Sequence, residues 1–160
     1  MTQTATPLIG LGFALSIGTQ GGTPTYTVVN GIKTFKMADG SWGTEDVTVL
    51  NTAAFSRRFI KTLEDAGEAE VSMLWDSADP GQVLLLAAYA VGSNSANGAD
   101  FPIKAAMPID LAGGQTTTGD TFAFNGLVTK YKRPEVQVDK TLTWGVTIKV
   151  DGAVTLTEGA

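Results

Sequence analysis

The residue types that carry most enzyme chemistry are thin in this chain. Among 160 residues there is no histidine and no cysteine. The usual general base, the commonest metal ligand and the thiolate nucleophile are therefore missing. Neither a disulfide framework nor a thiolate metal site can form. Carboxylates, basic residues and hydroxyls remain. Asp76 and Asp79, three positions apart, could hold a hard cation through oxygen; the simpler reading is an acidic turn and a helix cap. Glu64, Asp65, Glu68 and Glu70 could supply a paired acid and base; the simpler reading is a turn and a solvated strand face. Arg57, Arg58 and Lys61 form one basic patch, and Lys130, Lys132 and Arg133 another, with Tyr131 as a possible stacking ring. These patches could take phosphate, or pair with charge across a subunit contact. Serine and threonine hydroxyls need an activating base to become nucleophiles. Gly10 and Gly12 begin a dinucleotide fingerprint, but Leu15 stands where its third glycine belongs. No catalytic residue, cofactor site or metal site is expected, and the chain does not read as an enzyme.

The bulk properties agree with a non-catalytic role. The formal charge of −5 disfavours a protein that grips nucleic acid, which needs a dense basic surface. Charged residues are 17% of the chain, below a typical value of about 25%. A small domain with so few charges has either an oversized core or surface buried against neighbours, and the second is favoured. Residues 1–32 carry no charge, so no basic start precedes an apolar signal segment. The longest apolar run, Val83–Val91, is far short of the roughly 20 residues that span a bilayer. The expectation is a soluble protein made in a cytosol, with no membrane partner.

Periodicity places the elements around these residues. Residues 1–12 read as an extended arm, and residues 13–160 as one β domain. Phe13–Gly18 is expected as a strand with Phe13, Leu15 and Ile17 on one face. Tyr26–Met37 is expected as a strand or hairpin, with a turn or bulge at Asn30-Gly31. Ala38–Thr52 has no clean period and is expected as a long loop, a kind of segment that is usually functional. Phe55–Leu63 is expected as a strand, followed by a turn at Asp65-Ala66-Gly67. In Glu68–Trp75 the residues Ala69, Val71, Met73 and Trp75 alternate with more polar ones, a half-buried strand. Asp79 then offers an N-cap and Pro80 a first helical position. The helix they start should run to Val91 with no charge on any face, which implies burial on more than one side. Phe101–Ile109 is extended, with Pro102 and Pro108 confining it to an edge or placing them at its ends. Asp120–Arg133 and Lys140–Val150 are the clearest strands; Leu142, Trp144, Val146, Ile148 and Val150 make an unbroken alternating face. A turn at Asp151-Gly152 should precede a short strand over Val154–Leu156. Trp42, Trp75 and Trp144 are most simply core residues, although Trp42, in a loop, could anchor an interface.

The order of these pieces resembles the major tail tube proteins of long-tailed, non-contractile bacteriophages. The resemblance rests on Asp46-Val47-Thr48, Arg57-Arg58-Phe59-Ile60, Leu63 through Glu68, and Asp76 through Pro80. It continues in Asp120 through Thr129, similar to that family's F-x-G-x-V-T strand, and in Asp139 through Gly152, which ends in a K-V-x-G turn. It covers about residues 35–155. It implies a mainly β fold: a small β-sandwich or barrel with one flanking α-helix and a long assembly loop. The function it implies is that of a structural virion protein. Subunits form hexameric rings, and the rings stack into a hollow tail tube through which DNA passes into the host without specific binding. Its partners would be other copies of itself and tail proteins such as the tape measure, tail tip and terminator. The candidate assembly residues are Trp42, Asp46, Thr48, Asn51, Arg57, Arg58 and Asp65. Two alternatives stay open: the tube subunit of a contractile injection or secretion system, and a phage capsid decoration or adhesin-like binding module.

Overall fold

Alternating apolar residues build most of this molecule. The structure, a computed structural model, describes residues 10–49 and 56–160. In chain order the elements are β1 (Ala14–Gly18), β2 (Tyr26–Val29), β3 (Ile32–Lys36), β4 (Ser41–Asp46), β5 (Phe59–Asp65), β6 (Glu68–Leu74), α1 (Pro80–Ala90), β7 (Phe101–Ala106), β8 (Thr121–Lys132) and β9 (Thr143–Thr157). Seven strands form one antiparallel sheet in the order β2-β1-β7-β8-β9-β6-β3, and β4 and β5 form a separate two-stranded ribbon. The fold is therefore mainly β, with one helix among the described residues.

The sheet curls because of its two edges. β2 and β3 lie at opposite ends of the strand order, yet only Asn30 and Gly31 separate them in sequence. A link that short spans at most about 11 Å, so the two edges meet at that corner. Asn30-Gly31 is thus neither a hairpin nor a bulge within one strand, as its flanks suggested. It is the corner that closes the sheet toward a barrel. Gly31 has φ +78° there, a conformation that glycine adopts without a side-chain clash.

The concave face holds the core. Leu15 and Ile17 of β1, Ala69, Val71 and Met73 of β6, Ile103 of β7, Phe124 and Val128 of β8, and Trp144, Val146, Ile148 and Val150 of β9 are all buried. Each strand contributes every second residue, as a sheet buried on one face requires. Phe13 precedes β1 and stacks on Phe35 of β3, with ring centroids 4.8 Å apart. β7 lies inside the sheet between β1 and β8. Its prolines keep to the ends, Pro102 at the second position and Pro108 beyond the last.

Three expectations are corrected here. Asp151-Gly152 does not end a strand: β9 runs through it, and the β8–β9 register shifts between Ala123 and Asn125. Gly152, at φ +81°, absorbs a bulge rather than a reversal. Of the three tryptophans only Trp144 is core; Trp42 is 49% exposed and Trp75 37%. Trp75 lies just past the end of β6, where it packs edge-on against Trp144 at 5.6 Å and keeps its other side to solvent.

The helix begins as its cap residues dictate: Asp79 accepts a hydrogen bond from the Gln82 N–H, and Pro80 occupies the first turn. Within one subunit it buries a single stripe, Gly81, Gln82, Leu85 and Ala88. Val83 and Tyr89 stay exposed. Burial on more than one side is therefore not met among the described residues, where no second layer covers the outer stripe.

Candidate functional site

The segment expected as a long loop is largely a strand. β4 pairs antiparallel with β5 in the register Ser41–Asp65, Trp42–Glu64, Thr44–Lys61, Glu45–Ile60 and Asp46–Phe59, with a shift between Trp42 and Thr44. Pairing in the expected loop was hidden because neither strand has a buried face to impose alternation. Every residue of β4 and β5 is exposed. A lone two-stranded ribbon is marginal in water, and this one displays Trp42, Val47, Phe59, Ile60 and Leu63 to solvent. At about 3.3 Å per residue, β5 makes the ribbon roughly 20 Å long.

The ribbon carries the candidate residues at its two ends. Near the far end, Asp46 accepts hydrogen bonds from the Thr48 N–H (2.9 Å) and the Thr48 hydroxyl. These bonds, the hydroxyl first, hold the Asp46 carboxyl below its usual range. The Thr48 hydroxyl oxygen accepts from the Arg58 N–H at 2.9 Å, and the Val47 N–H donates to the Arg58 carbonyl at 2.9 Å. Asp46, Thr48 and Arg58 thus form one local knot that extends the pairing past β4. Arg57 is exposed beside it, and among the described residues neither arginine meets a carboxylate within ion-pair distance. Lys61 Nζ lies 5.3 Å from the Trp42 ring centroid, so those two share a face in a cation–π contact. Asn51 lies outside the described residues.

Asp65 sits at the other end, at the root. It accepts from Lys149 Nζ at 2.6 Å and from the Gly67 N–H at 2.9 Å. The Lys149 hydrogen bond, then that of Gly67, then the Lys149 charge, lower its carboxyl. Asp65 therefore fastens the ribbon to β9 and does not join the far-end knot.

The other candidates for chemistry resolve into structure. Both Asp79 oxygens are engaged: Oδ1 accepts from Asn30 Nδ2 at 2.6 Å, and Oδ2 from the N–H groups of Gln82 (3.0 Å) and Asn30 (3.3 Å). Asp76 accepts from the Ala78 N–H at 2.9 Å in its own turn. Among the described residues no group of three potential ligands is placed to hold a metal ion. Tyr131 is no stacking platform; it is half-buried, edge-on to Trp144 at 5.3 Å and tilted against Tyr89 at 5.8 Å. Lys130 and Lys132 rim a shallow trough with Lys36 and Glu70.

Gln82 escaped the sequence reading. Its Nε2 donates to the carbonyls of Asn30 (2.9 Å) and Leu74 (2.8 Å), and its Oε1 accepts from Trp144 Nε1 (2.8 Å) and the Asp76 N–H (3.0 Å). It ties the corner, β6, β9 and the helix together. The signal available was a single amide in a helix otherwise built of apolar and small residues.

No protein-family model matches the sequence, and no curated protein matches it. Solved structures do match over nearly the whole chain. One is a chain of an extracellular contractile injection system, the PVC sheath/tube terminator in its extended state, at 12% identity and TM-score 0.69, covering 96% of this chain and 98% of that one. A second is from the tail of an empty GTA particle with C6 symmetry, at 10% identity and TM-score 0.65, covering 94% and 99%. A third is the SPP1 tail tube, at 12% identity and TM-score 0.65, covering 95% and 80%. Together with the curled sheet, the single helix and the projecting ribbon, these likenesses show that the chain has the tail tube fold.

Proposed function

We propose that this chain is a structural subunit of a tail tube, assembling with copies of itself into hexameric rings that stack into a hollow conduit. The observation that carries the reading is the ribbon β4–β5, exposed along its whole length with bare aromatic and aliphatic side chains. Such an element gains stability only by burial against a neighbour. The assembly residues would be Trp42, Asp46, Thr48, Arg57 and Arg58 on the ribbon and its far end, with Asp65 fixing its root, together with Asn51, which lies outside the described residues. The uncovered helix stripe would meet another subunit. DNA would pass through the lumen without specific binding, which the net charge of −5 favours. In this reading the protein is no enzyme, resides in the phage tail, and meets the tape measure, tail tip and terminator at the ends of the tube.

A contractile injection machine is the second reading, favoured by the likeness to the PVC sheath/tube terminator chain. Its tube would add a sheath as partner, and co-purification with a sheath protein separates the two readings. Electron microscopy of the purified protein, with and without its tail tip proteins, tests both. Hollow rings or tubes are expected; only compact monomers under both conditions would remove the proposal.

A further inference from the structure

We propose that the second half of β9, Asp151–Thr157, is a strand-addition site for β5 of a second copy of this chain. β6 pairs with β9 only between Thr143 and Lys149, and the Val150 N–H bonds the Gly67 carbonyl at 3.1 Å. From Asp151 onward β9 has β8 on one side and, among the described residues, no strand on the other. The other open edges of the large sheet are guarded. β2 is four residues long and is backed by the helix, where Gly81 lies against the backbone of Val28 and Val29. β3 carries Lys33 and Lys36 and shifts register between Ile32 and Thr34. Short length, lysines and irregular register all discourage pairing with another chain. Asp151–Thr157 has neither lysine nor proline, and nearly all of it is exposed.

A cleft lies beside this edge at the ribbon root, lined by Met37, Ala38, Ala66, Phe122 and Val154, with Glu64 of the same chain's β5 as its acidic member. In strand addition the backbone bonds supply affinity, and pockets beside the edge receive alternate side chains. β5 suits both roles. It is seven residues long, matching the span from Asp151 to Thr157, and its side away from β4 is unpaired among the described residues. Phe59 and Leu63 share one face of it and are exposed, Leu63 at 86%, and can lie against the apolar side of the cleft. Charge is complementary at the leading end of β5: Asp151 and Glu158 flank the β9 edge with no basic residue between them, and Arg57, Arg58 and Lys61 come before the acidic Glu64 and Asp65 that end β5. The contact joins unlike surfaces on the two copies, so it repeats from copy to copy and forms a ring where the rotation closes. It rests on the tube reading only in requiring a second copy as partner.

The absence of cysteine makes a clean test. Protein carrying Thr155→Cys is mixed with protein carrying Lys61→Cys, assembled, and treated with a short bismaleimide. A covalent dimer is expected at least ten-fold above that from either protein alone. Thr155→Lys, which blunts the edge, should abolish tubes and leave the monomer's melting curve unchanged. Tubes without the 61–155 cross-link, or normal tubes from Thr155→Lys, overturn this contact and leave the tube reading standing. A wild-type protein that stays monomeric even with its tail tip proteins removes both.

Discussion

Trp144 donates its indole N–H to Gln82 Oε1 across 2.8 Å, joining the start of β9 to the first turn of the helix. Both side chains are buried, so neither can exchange this bond for water. Replacing Gln82 by leucine keeps most of the volume and strands the indole, the Asp76 N–H and two carbonyls. A loss of about 2–4 kcal/mol is expected from unsatisfied buried groups of this kind. Urea denaturation of the purified subunit measures it.

Asp79 links the same corner to pH. Burial raises its carboxyl, but hydrogen bonds from the Asn30 side chain and from the backbone N–H groups of Gln82, Asn30 and Gly81 together outweigh it and hold the group below its usual range. A carboxyl lowered in the folded state contributes stability above its unfolded value of about 3.9. That contribution is lost as the pH falls through the folded value. Asp79→Ala should cost roughly 1–2 kcal/mol at neutral pH, in the range of a lost N-cap. Its deficit against wild type should shrink in acid unfolding below about pH 4.

Gly81 tests how closely the helix packs. A Cβ there would strike the Val28 carbonyl oxygen and lie 2.6 Å from Val29 Cα, backbone atoms that cannot rotate away. Alanine improves intrinsic helix propensity by about 1 kcal/mol. Gly81→Ala should nevertheless lower the melting temperature, and a rise would show that the helix can shift off β2 freely.

The ribbon should be separable from the fold. Replacing Trp42 and Asp46 together by alanine removes exposed side chains whose contacts, to Lys61 and Thr48, are local to the ribbon, so the subunit's melting curve should stay close to wild type. Assembly should fail at the step that adds the next subunits. Micrographs showing tubes of normal length from this variant would count against the ribbon as an assembly element.

Trypsin offers a simple readout of the same idea. Arg57, Arg58 and Lys61 are exposed in a ribbon without a core of its own, where local opening costs little. The free subunit should be nicked there first. Assembled material should resist at those sites by at least ten-fold in rate.

The sequence alone determined the elements whose residues face a core. In Glu68–Trp75 and Lys140–Val150, alternation exposes the buried set Ala69, Val71, Met73, Trp144, Val146, Ile148 and Val150, because a one-sided sheet imposes a period of two. Asp79 and Pro80 marked the helix start because capping is local chemistry. The ordered motifs from Asp46 to Pro80 pointed to the tail tube fold that the structure has. Only tertiary structure decided the rest. Nothing local in Asn30-Gly31 says that it joins opposite edges of a seven-stranded sheet, since strand order is set by long-range pairing. Gln82 became a hub because four separate elements converge on one amide. β4 went unread because a ribbon exposed on both faces leaves no hydrophobic period. The open half of β9 exists only because β6 stops at Glu68, opposite Lys149, a relation between two strands that neither one's residues contain.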